Sequence, residues 1–321
     1  MRKTVRPRAL AAVSVSAVLL LAAGCASPAS STTTTGSLGD QLAGAGFTVG
    51  SKDFSESEIL GEITLDLLKA HGAKVTDKTN IKGSVTTRDA MLSGDISMYW
   101  EYTGTAWIDY LGNTVPISDP TAQYQAVKSA DLAKHGVAWL APAPMNDTYA
   151  IAVLSSTAAK LNISTLTELA ALSKTNPAET SVCVESEFVA RPDGWPGVVK
   201  DYGMAMPSGD IKTLATGAIY SEIAKGTTCN FGEVFATDGR IAALKLTVLK
   251  DDKHFFPVYN AALTLPQKLL TKYPAIATIM NPVSAKLTDS VMQQLDAEVD
   301  VNGQTPAAVA DAWLKAQGFI H

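Results

Sequence analysis

Apolar residues along the chain switch repeatedly between the spacing of a strand and the spacing of a helix. Residues 47–51 predict a strand, and Ser55 or Asp53 is expected to cap the helix that follows and ends near Gly72. The apolar positions of that helix recur every three or four residues, at Ile59, Leu60, Ile63, Leu67 and Leu68. The chain therefore opens with a strand followed by an amphipathic helix.

The same alternation continues towards the C-terminus. Further strands are predicted at residues 96–102, 137–140, 149–154, 181–184 and 231–236. Helices are predicted at residues 88–92, 121–135, 166–172, 219–224 and 240–245, and over most of the chain beyond residue 269. The last helix should begin with Thr305 as its cap and Pro306 in its first turn. Strands that alternate with helices are typical of βαβ units, so the pattern predicts an α/β protein with parallel sheets.

The N-terminal segment has the pattern of a secretory signal. Four basic residues and no acidic residue precede an apolar run over residues 9–24, shorter than the about 20 residues that span a membrane. The run ends in small residues before Cys25, which resembles a bacterial lipobox and implies a lipid on Cys25. An ordinary signal peptide with a chance cysteine is the alternative. Residues 1–24 are thus the expected signal, and residues 25–45, rich in Ser, Thr, Ala and Gly, a flexible tether.

Composition limits the classes of partner. Removal of residues 1–24 leaves 297 residues and moves the formal net charge from −5 to −9. An acidic chain without a basic patch is poorly suited to nucleic acid, and it is not drawn to anionic lipid headgroups. Since 46% of the residues are hydrophobic, the chain can bury a large core, and its length indicates two lobes rather than one.

Cysteine usage points to an oxidising compartment. If Cys25 carries a lipid, Cys183 and Cys229 remain as a pair, and outside the cytoplasm such a pair predicts a disulfide. Both stand in short β-rich stretches, whose strand ends would have to be neighbours. Two separate buried thiols are the alternative.

The characteristic motifs of common catalytic and metal sites are absent from the sequence. The four histidines lack metal-ligand spacing, and there is no HExxH, CxxC, GxSxG or phosphate-binding loop motif. We therefore expect neither catalysis nor a metal or cofactor, with a secreted enzyme as the rival hypothesis.

Five short segments carry the functional interpretation. They are residues 51–56 (SKDFSE), 101–105 (EYTGT), 146–150 (NDTYA), 236–241 (ATDGRI) and 251–257 (DDKHFFP). The second follows an aromatic-rich strand and turns into a helix, which is where α/β proteins bind ligands. Together and in this order, the segments resemble the glycine betaine/choline-binding proteins of osmoprotectant ABC importers, from about Phe47 to the C-terminus.

The resemblance implies a type II periplasmic-binding-protein fold, in which two α/β lobes joined by a two-strand hinge close on the ligand. Lobe 1 would comprise residues 46–147 and 257–321, and lobe 2 residues 148–256. Such a protein captures glycine betaine or a related quaternary-ammonium compatible solute and delivers it to permease subunits. We expect a monomer on the extracytoplasmic face of the membrane, held there by its lipid. Choline or another organic cation is the alternative ligand.

Individual ligand contacts also follow from the resemblance. Tyr102, Tyr149 and Tyr220 would be walls of an aromatic cage, because tyrosine faces attract a trimethylammonium group that cannot donate a strong hydrogen bond. Phe235 stands where the family commonly has another tyrosine; it keeps the π face and lacks the hydroxyl. The ligand carboxylate would be held by three further residues, Lys52, Thr105 and Arg191.

Overall fold

The computed structural model describes residues 39–321. The predicted signal at residues 1–24, the lipid at Cys25 and the tether up to residue 38 lie outside the described residues. No helix among those described is both long and apolar enough to cross a membrane.

Strands and helices alternate over the described chain as the apolar pattern predicts. The strands are β1 (Gly46–Lys52), β2 (Lys74–Ile81), β3 (Tyr99–Tyr102), β4 (Val137–Trp139), β5 (Tyr149–Leu154), β6 (Val182–Val184), β7 (Ile211–Thr213), β8 (Phe231–Phe235), β9 (Leu246–Val248) and β10 (Ala261–Pro266). The helices are α1 (Ser55–Ala70), α2 (Ser84–Ser93), α3 (Thr103–Thr105), α4 (Pro120–His135), α5 (Ser155–Leu161), α6 (Leu166–Thr175), α7 (Trp195–Tyr202), α8 (Thr216–Lys225), α9 (Arg240–Ala243), α10 (Gln267–Lys272), α11 (Ala275–Ser284), α12 (Asp289–Asp300) and α13 (Pro306–Ala316).

Within residues 39–321 the strands form three sheets. Strands β1 and β2 are a parallel pair, and β10 lies between β3 and β4. The largest sheet has the order β7-β6-β8-β5-β9, all from residues 149–248, which we call the inserted segment. The chain thus leaves the first two sheets after β4, builds the third sheet, and returns to the second sheet through β10.

Strand direction is only partly as predicted. Parallel pairing holds for β1 with β2 and for β6 with both β7 and β8. Strand β10 is antiparallel to β3 and β4, and β5 is antiparallel to β8 and β9. Of the seven strand pairs within residues 39–321, three are thus parallel as predicted and four are antiparallel. Strands β5 and β10 are the first strands after each crossing between sheets, and their direction follows from the crossing rather than from a βαβ unit.

The start of α1 also differs from the sequence prediction. Phe54 is the N-cap residue, in extended conformation and without a side-chain cap hydrogen bond. Ser55 instead donates to Asp300 at 2.6 Å, and Asp53 accepts from the backbone N–H of Gly83 at 3.1 Å. The predicted cap residues are thus used to join the turn to other elements. The prediction for the last helix is confirmed, since the Thr305 side chain accepts from Ala308 N.

A disulfide joins two neighbouring strands inside the largest sheet. Cys183 in β6 and Cys229, just before β8, are bonded and have Cα atoms 5.7 Å apart. Because β6 and β8 are paired neighbours, the prediction that adjacent strand ends bring the two cysteines together is confirmed.

Candidate functional site

A cavity lies between the inserted segment and the elements before it and after it. It holds about 700 Å³ of space including its open mouth. Its lining comes from the β1–α1 turn, the loop before α2, the end of β3 with α3, the β4–β5 crossing, the loop after β6, the start of α8, β8 and the return to β10. These contribute Lys52, Asp53, Phe54, Lys82, Gly83, Ser84, Tyr102, Thr105, Asp147, Tyr149, Glu185, Ser186, Glu187, Thr216, Glu233, Phe235 and Tyr259. Both crossings between the sheets therefore border the cavity.

Aromatic rings form a continuous wall of this cavity. Phe54 stacks on Phe235 with ring centroids 5.1 Å apart and lies 5.9 Å from Tyr102. Tyr149 lies 5.3 Å from Phe235 and the same distance from Tyr259, edge to face. The register explains the central contact, because Tyr149 of β5 and Phe235 of β8 are directly paired in the antiparallel ladder. The structure thus gathers Tyr102, Tyr149 and Phe235 around one space.

Two members of this wall were not assigned a role from sequence. Phe54 lies in the SKDFSE segment, in which only Lys52 was predicted from the sequence to contact the ligand. Tyr259 lies two residues before β10, and its hydroxyl donates to Asp193 at 2.6 Å. Tyr259 could have been predicted as a site residue, because it is an aromatic residue next to a predicted crossing between the lobes.

Carboxylates outnumber cations along the cavity wall. Two lysines, Lys52 and Lys82, are among the lining residues, against five acids, Asp53, Asp147, Glu185, Glu187 and Glu233. Opposite charge within a low-dielectric cleft is attractive, so this wall favours a ligand that carries positive charge.

Lys52 lies in the cavity wall but already has an anionic partner. Its Nζ is 2.6 Å from Glu101 Oε1, and both side chains are buried. The ammonium also lies 5.0 Å from the centroid of the Tyr102 ring. Glu101 accepts in addition from the hydroxyls of Tyr99 and Tyr110, at 2.6 and 2.8 Å. The positive charge of Lys52 is thus balanced within the protein.

Arg191 lies behind the lining rather than in it. The guanidinium is buried and forms ion pairs with Asp109 at 2.7 Å, Glu187 at 2.8 Å and Asp193 at 2.6 Å. It also lies 3.5 Å from the hydroxyl of Thr105, which does line the cavity. Arg191 therefore ties the inserted segment to the π-helical turn Ala106–Tyr110, and its role as a ligand contact stays a prediction.

Tyr220 is fully buried on α8 and is not among the residues that line the cavity. Its hydroxyl accepts from the backbone N–H of Phe235 at 2.9 Å. Arg240 lies over its ring at 4.1 Å. In this structure Tyr220 supports the strand that carries Phe235, and direct contact of Tyr220 with a ligand stays a prediction.

The pKa values of several acids near the cavity differ from those of exposed carboxyls. Burial raises the pKa of Glu233 to about 8 and that of Asp147 to about 7. Burial would raise the pKa of Glu187 too, but the charges of Lys52 and Arg191 outweigh it and lower that pKa to about 2. At neutral pH Glu187 is thus ionised, whereas Glu233 is largely neutral.

The side chains of residues 39–321 do not form a possible metal site. They include no group of three or more His, Cys, Asp or Glu residues placed to hold a metal ion. The cavity lining instead presents aromatic rings, hydroxyls, carboxylates and two lysines.

Comparison with known proteins agrees with a binding role. A family model described as the substrate binding domain of an ABC-type glycine betaine transport system matches residues 47–316. The chain is 37% identical over 277 residues to a glycine-betaine-binding protein of Pseudomonas aeruginosa, covering 85% of the chain and 88% of the relative. It is 31% identical to the glycine betaine-binding protein YehZ of Escherichia coli, covering 84% and 90% respectively.

A solved structure shares the fold. It is described as a glycine betaine/carnitine/choline ABC transporter, is 30% identical, and superposes with a TM-score of 0.70 over 85% of this chain and 99% of its own. The prediction of a periplasmic-binding-protein fold is thereby confirmed.

Proposed function

Because the chain belongs to the family of substrate-binding domains of ABC-type glycine betaine transport systems, we propose that its cavity captures glycine betaine or a closely related quaternary-ammonium solute. The aromatic wall carries the proposal. The aromatic rings of Phe54, Tyr102, Tyr149 and Phe235 line one space that acidic side chains also border. A trimethylammonium group is attracted by such faces, at about 0.5–2 kcal/mol per contact, and its methyl groups fit against them.

The position of the ligand carboxylate follows from the paired cations. Thr105 is the member of the predicted trio that lines the cavity without an ion pair of its own, and Arg191 lies directly behind it. We place the carboxylate against the Thr105 hydroxyl. Lys52 and Arg191 then act through their positive potential, because both are already bonded to acids.

Choline or another organic cation without a carboxylate is the second candidate. The excess of acids in the wall and the internal pairing of Lys52 and Arg191 favour it, since a cation needs no anion site. Comparison of glycine betaine with choline in one assay therefore decides which end of the ligand the cavity recognises.

The two crossings between sheets suggest how the ligand is enclosed. We assign residues 46–147 and 257–321 to lobe 1 and residues 148–256 to lobe 2, which join near β5 and near the start of β10. Glu187 of lobe 2 accepts from the backbone N–H of Ser84 of lobe 1 at 2.9 Å, and Arg191 pairs with Asp109 across the same boundary. These contacts hold the lobes together over the cavity.

We further propose the cellular setting. The protein acts on the extracytoplasmic face of the membrane as a monomer, is anchored by a lipid on Cys25, and passes its ligand unchanged to ABC permease subunits. The signal-like pattern of residues 1–24 supports export, and the membership of a transport family supports delivery rather than turnover.

The test is isothermal titration calorimetry of the mature protein with glycine betaine, choline, carnitine and proline betaine. We expect saturable one-site binding of at least the first ligand, and recovery of every ligand chemically unchanged by NMR. Absence of binding to all four, or conversion of any of them, contradicts the proposal.

A further inference from the structure

A second, smaller cavity lies beside the ligand cavity, at the boundary between the lobes. It holds about 210 Å³ of space including its open mouth, and is bordered by α1, the β4–β5 crossing, the loop after β8, and α12. The ionisable groups that face it are Glu56 of α1, Asp147 of the crossing, Asp238 and Arg240 of the loop and start of α9, and Asp296 and Asp300 of α12. Tyr102 of β3 adjoins them through its hydrogen bond to Glu56. Five carboxyls thus surround one guanidinium.

Thr237 joins two of these carboxyls across the lobe boundary. Its Oγ1 lies 2.6 Å from Glu56 Oε2 and 2.5 Å from Asp147 Oδ1, and all three side chains are buried. A hydroxyl carries one hydrogen and can donate to only one carboxyl. The second short contact therefore requires a proton on a carboxyl, which then donates to the hydroxyl oxygen.

The surroundings oppose ionisation of both acids. Arg240 is engaged by Asp238 and Asp300, at 2.5 and 3.4 Å, so its charge is already shared. Asp296 is 3% exposed, and its Oδ1 lacks a hydrogen-bond partner among the described residues. Burial and the neighbouring Asp147 raise the pKa of Glu56, and burial raises that of Asp147 to about 7.

The same contacts reach the ligand wall. Glu56 accepts the hydroxyl hydrogen of Tyr102 at 2.8 Å on its other oxygen, and Asp147 itself lines the ligand cavity. The cavity wall is therefore connected to Thr237 on the opposite lobe by two routes, one from Tyr102 through Glu56 and one directly through Asp147.

We propose that Glu56, Asp147 and Thr237 form a proton-dependent latch, in which one shared proton holds the lobes closed on the ligand. The proposal rests on the binding function given above. Loss of that proton leaves two buried carboxylates of lobe 1 with the single hydroxyl hydrogen of Thr237 between them. The open form is then favoured, because it exposes both carboxylates to water. Opening exposes the acids to water, where their pKa returns to the ordinary range near 4.

The sign of the pH effect follows from this difference. The closed form binds the proton more tightly than the open form, so closure takes up a proton between about pH 4 and about pH 7. Affinity for the ligand is then highest at low pH and falls as the pH rises through the closed-form value. One linked proton weakens affinity by at most about tenfold per pH unit.

The test is calorimetric titration of glycine betaine into the wild type and two variants, which gives the affinity of each between about pH 5 and about pH 8.5. Glu56→Gln places a permanent donor opposite Thr237 and keeps an acceptor for Tyr102, so its affinity should stay high and change little with pH. Thr237→Val removes the bridge, so its affinity should be lower, with a weaker dependence on pH. The affinity of the wild type should be close to that of Glu56→Gln at low pH and should approach that of Thr237→Val as the pH rises.

A matched control changes a carboxylate to an amide elsewhere. Asp311→Asn removes an exposed acid that pairs with Lys315 at 2.9 Å on α13, and it should follow the wild-type curve.

Thermal unfolding of the ligand-free proteins tests the latch without depending on which ligand binds. The melting temperature of the wild type should fall more steeply with pH than that of Glu56→Gln. If glycine betaine fails to bind but this difference remains, the ligand assignment is wrong and the latch stands. Parallel pH curves for the wild type and Glu56→Gln in both assays would overturn the latch.

Discussion

The disulfide between Cys183 and Cys229 should be a major source of stability for lobe 2. It closes a loop with a sequence separation of 46, which in the chain-entropy model corresponds to about 4 kcal/mol at 25 °C. The bond joins Cys183 of β6 to Cys229, two residues before β8, and these two strands are also paired through backbone hydrogen bonds. The folded form should therefore keep its topology without the bond, and the change should act mainly on the unfolded chain.

The double variant Cys183→Ala/Cys229→Ala measures this contribution by urea unfolding. A loss of about 4 kcal/mol lowers the urea midpoint by roughly 1.5 M for an m-value of about 2–3 kcal/mol/M. Reduction of the wild type should lower its midpoint to nearly that of the variant, while the variant itself should not respond to reductant. A loss below about 1 kcal/mol would refute the loop-closure reasoning, and two reactive thiols in the denatured, unreduced protein would refute the bond itself.

Three further predictions concern the site and its support. Arg191→Ala leaves the buried Asp193 and the partly buried Asp109 and Glu187 without their cation, so we expect a loss of about 3 kcal/mol in thermal or urea unfolding; calorimetry should show greater weakening for glycine betaine than for choline, because the betaine carboxylate at Thr105 loses the positive potential behind it, and equal weakening would contradict that placement. Gly239→Ala would bring a Cβ to 2.7 Å from the backbone nitrogen of Ala297 in α12, so lobe closure should be hindered and affinity should fall by more than tenfold; unchanged affinity would show that the loop yields. Burial raises the pKa of Glu233 to about 8, so the stability due to its neutral form is present below about pH 4 and is lost as the pH rises through about 8; Glu233→Gln should flatten the dependence of the melting temperature on pH, and an unaltered dependence would refute the assignment.

Local pattern was sufficient for most of the secondary structure. The predicted strand at residues 47–51 lies within β1, and the predicted helix at residues 121–135 lies within α4. Strand β2 went unrecognised because most of its side chains are polar and exposed. Its pairing with β1, which no local signal encodes, is what makes it a strand.

The sequence predicted the aromatic residues of the candidate site better than it predicted which charged residues pair there. Tyr102, Tyr149 and Phe235 could be found because they stand at strand ends within recognisable segments. The pairing of Lys52 with Glu101 joins residues 49 positions apart, and the sequence does not indicate which of many acids will face a given cation. The same limit applies to Thr237, whose importance depends on two carboxyls that folding brings to it.

Calorimetric titration of glycine betaine into the wild type and Tyr102→Ala tests the central claim most directly. Tyr273→Ala is the matched control, since that ring packs edge to face on Phe47 and is not among the residues that line the ligand cavity. The account predicts saturable binding by the wild type and the control, and a loss of more than about tenfold, or about 1.4 kcal/mol, in Tyr102→Ala. Equal affinity in all three proteins, with each shown to be folded, would contradict the aromatic cage as the binding site.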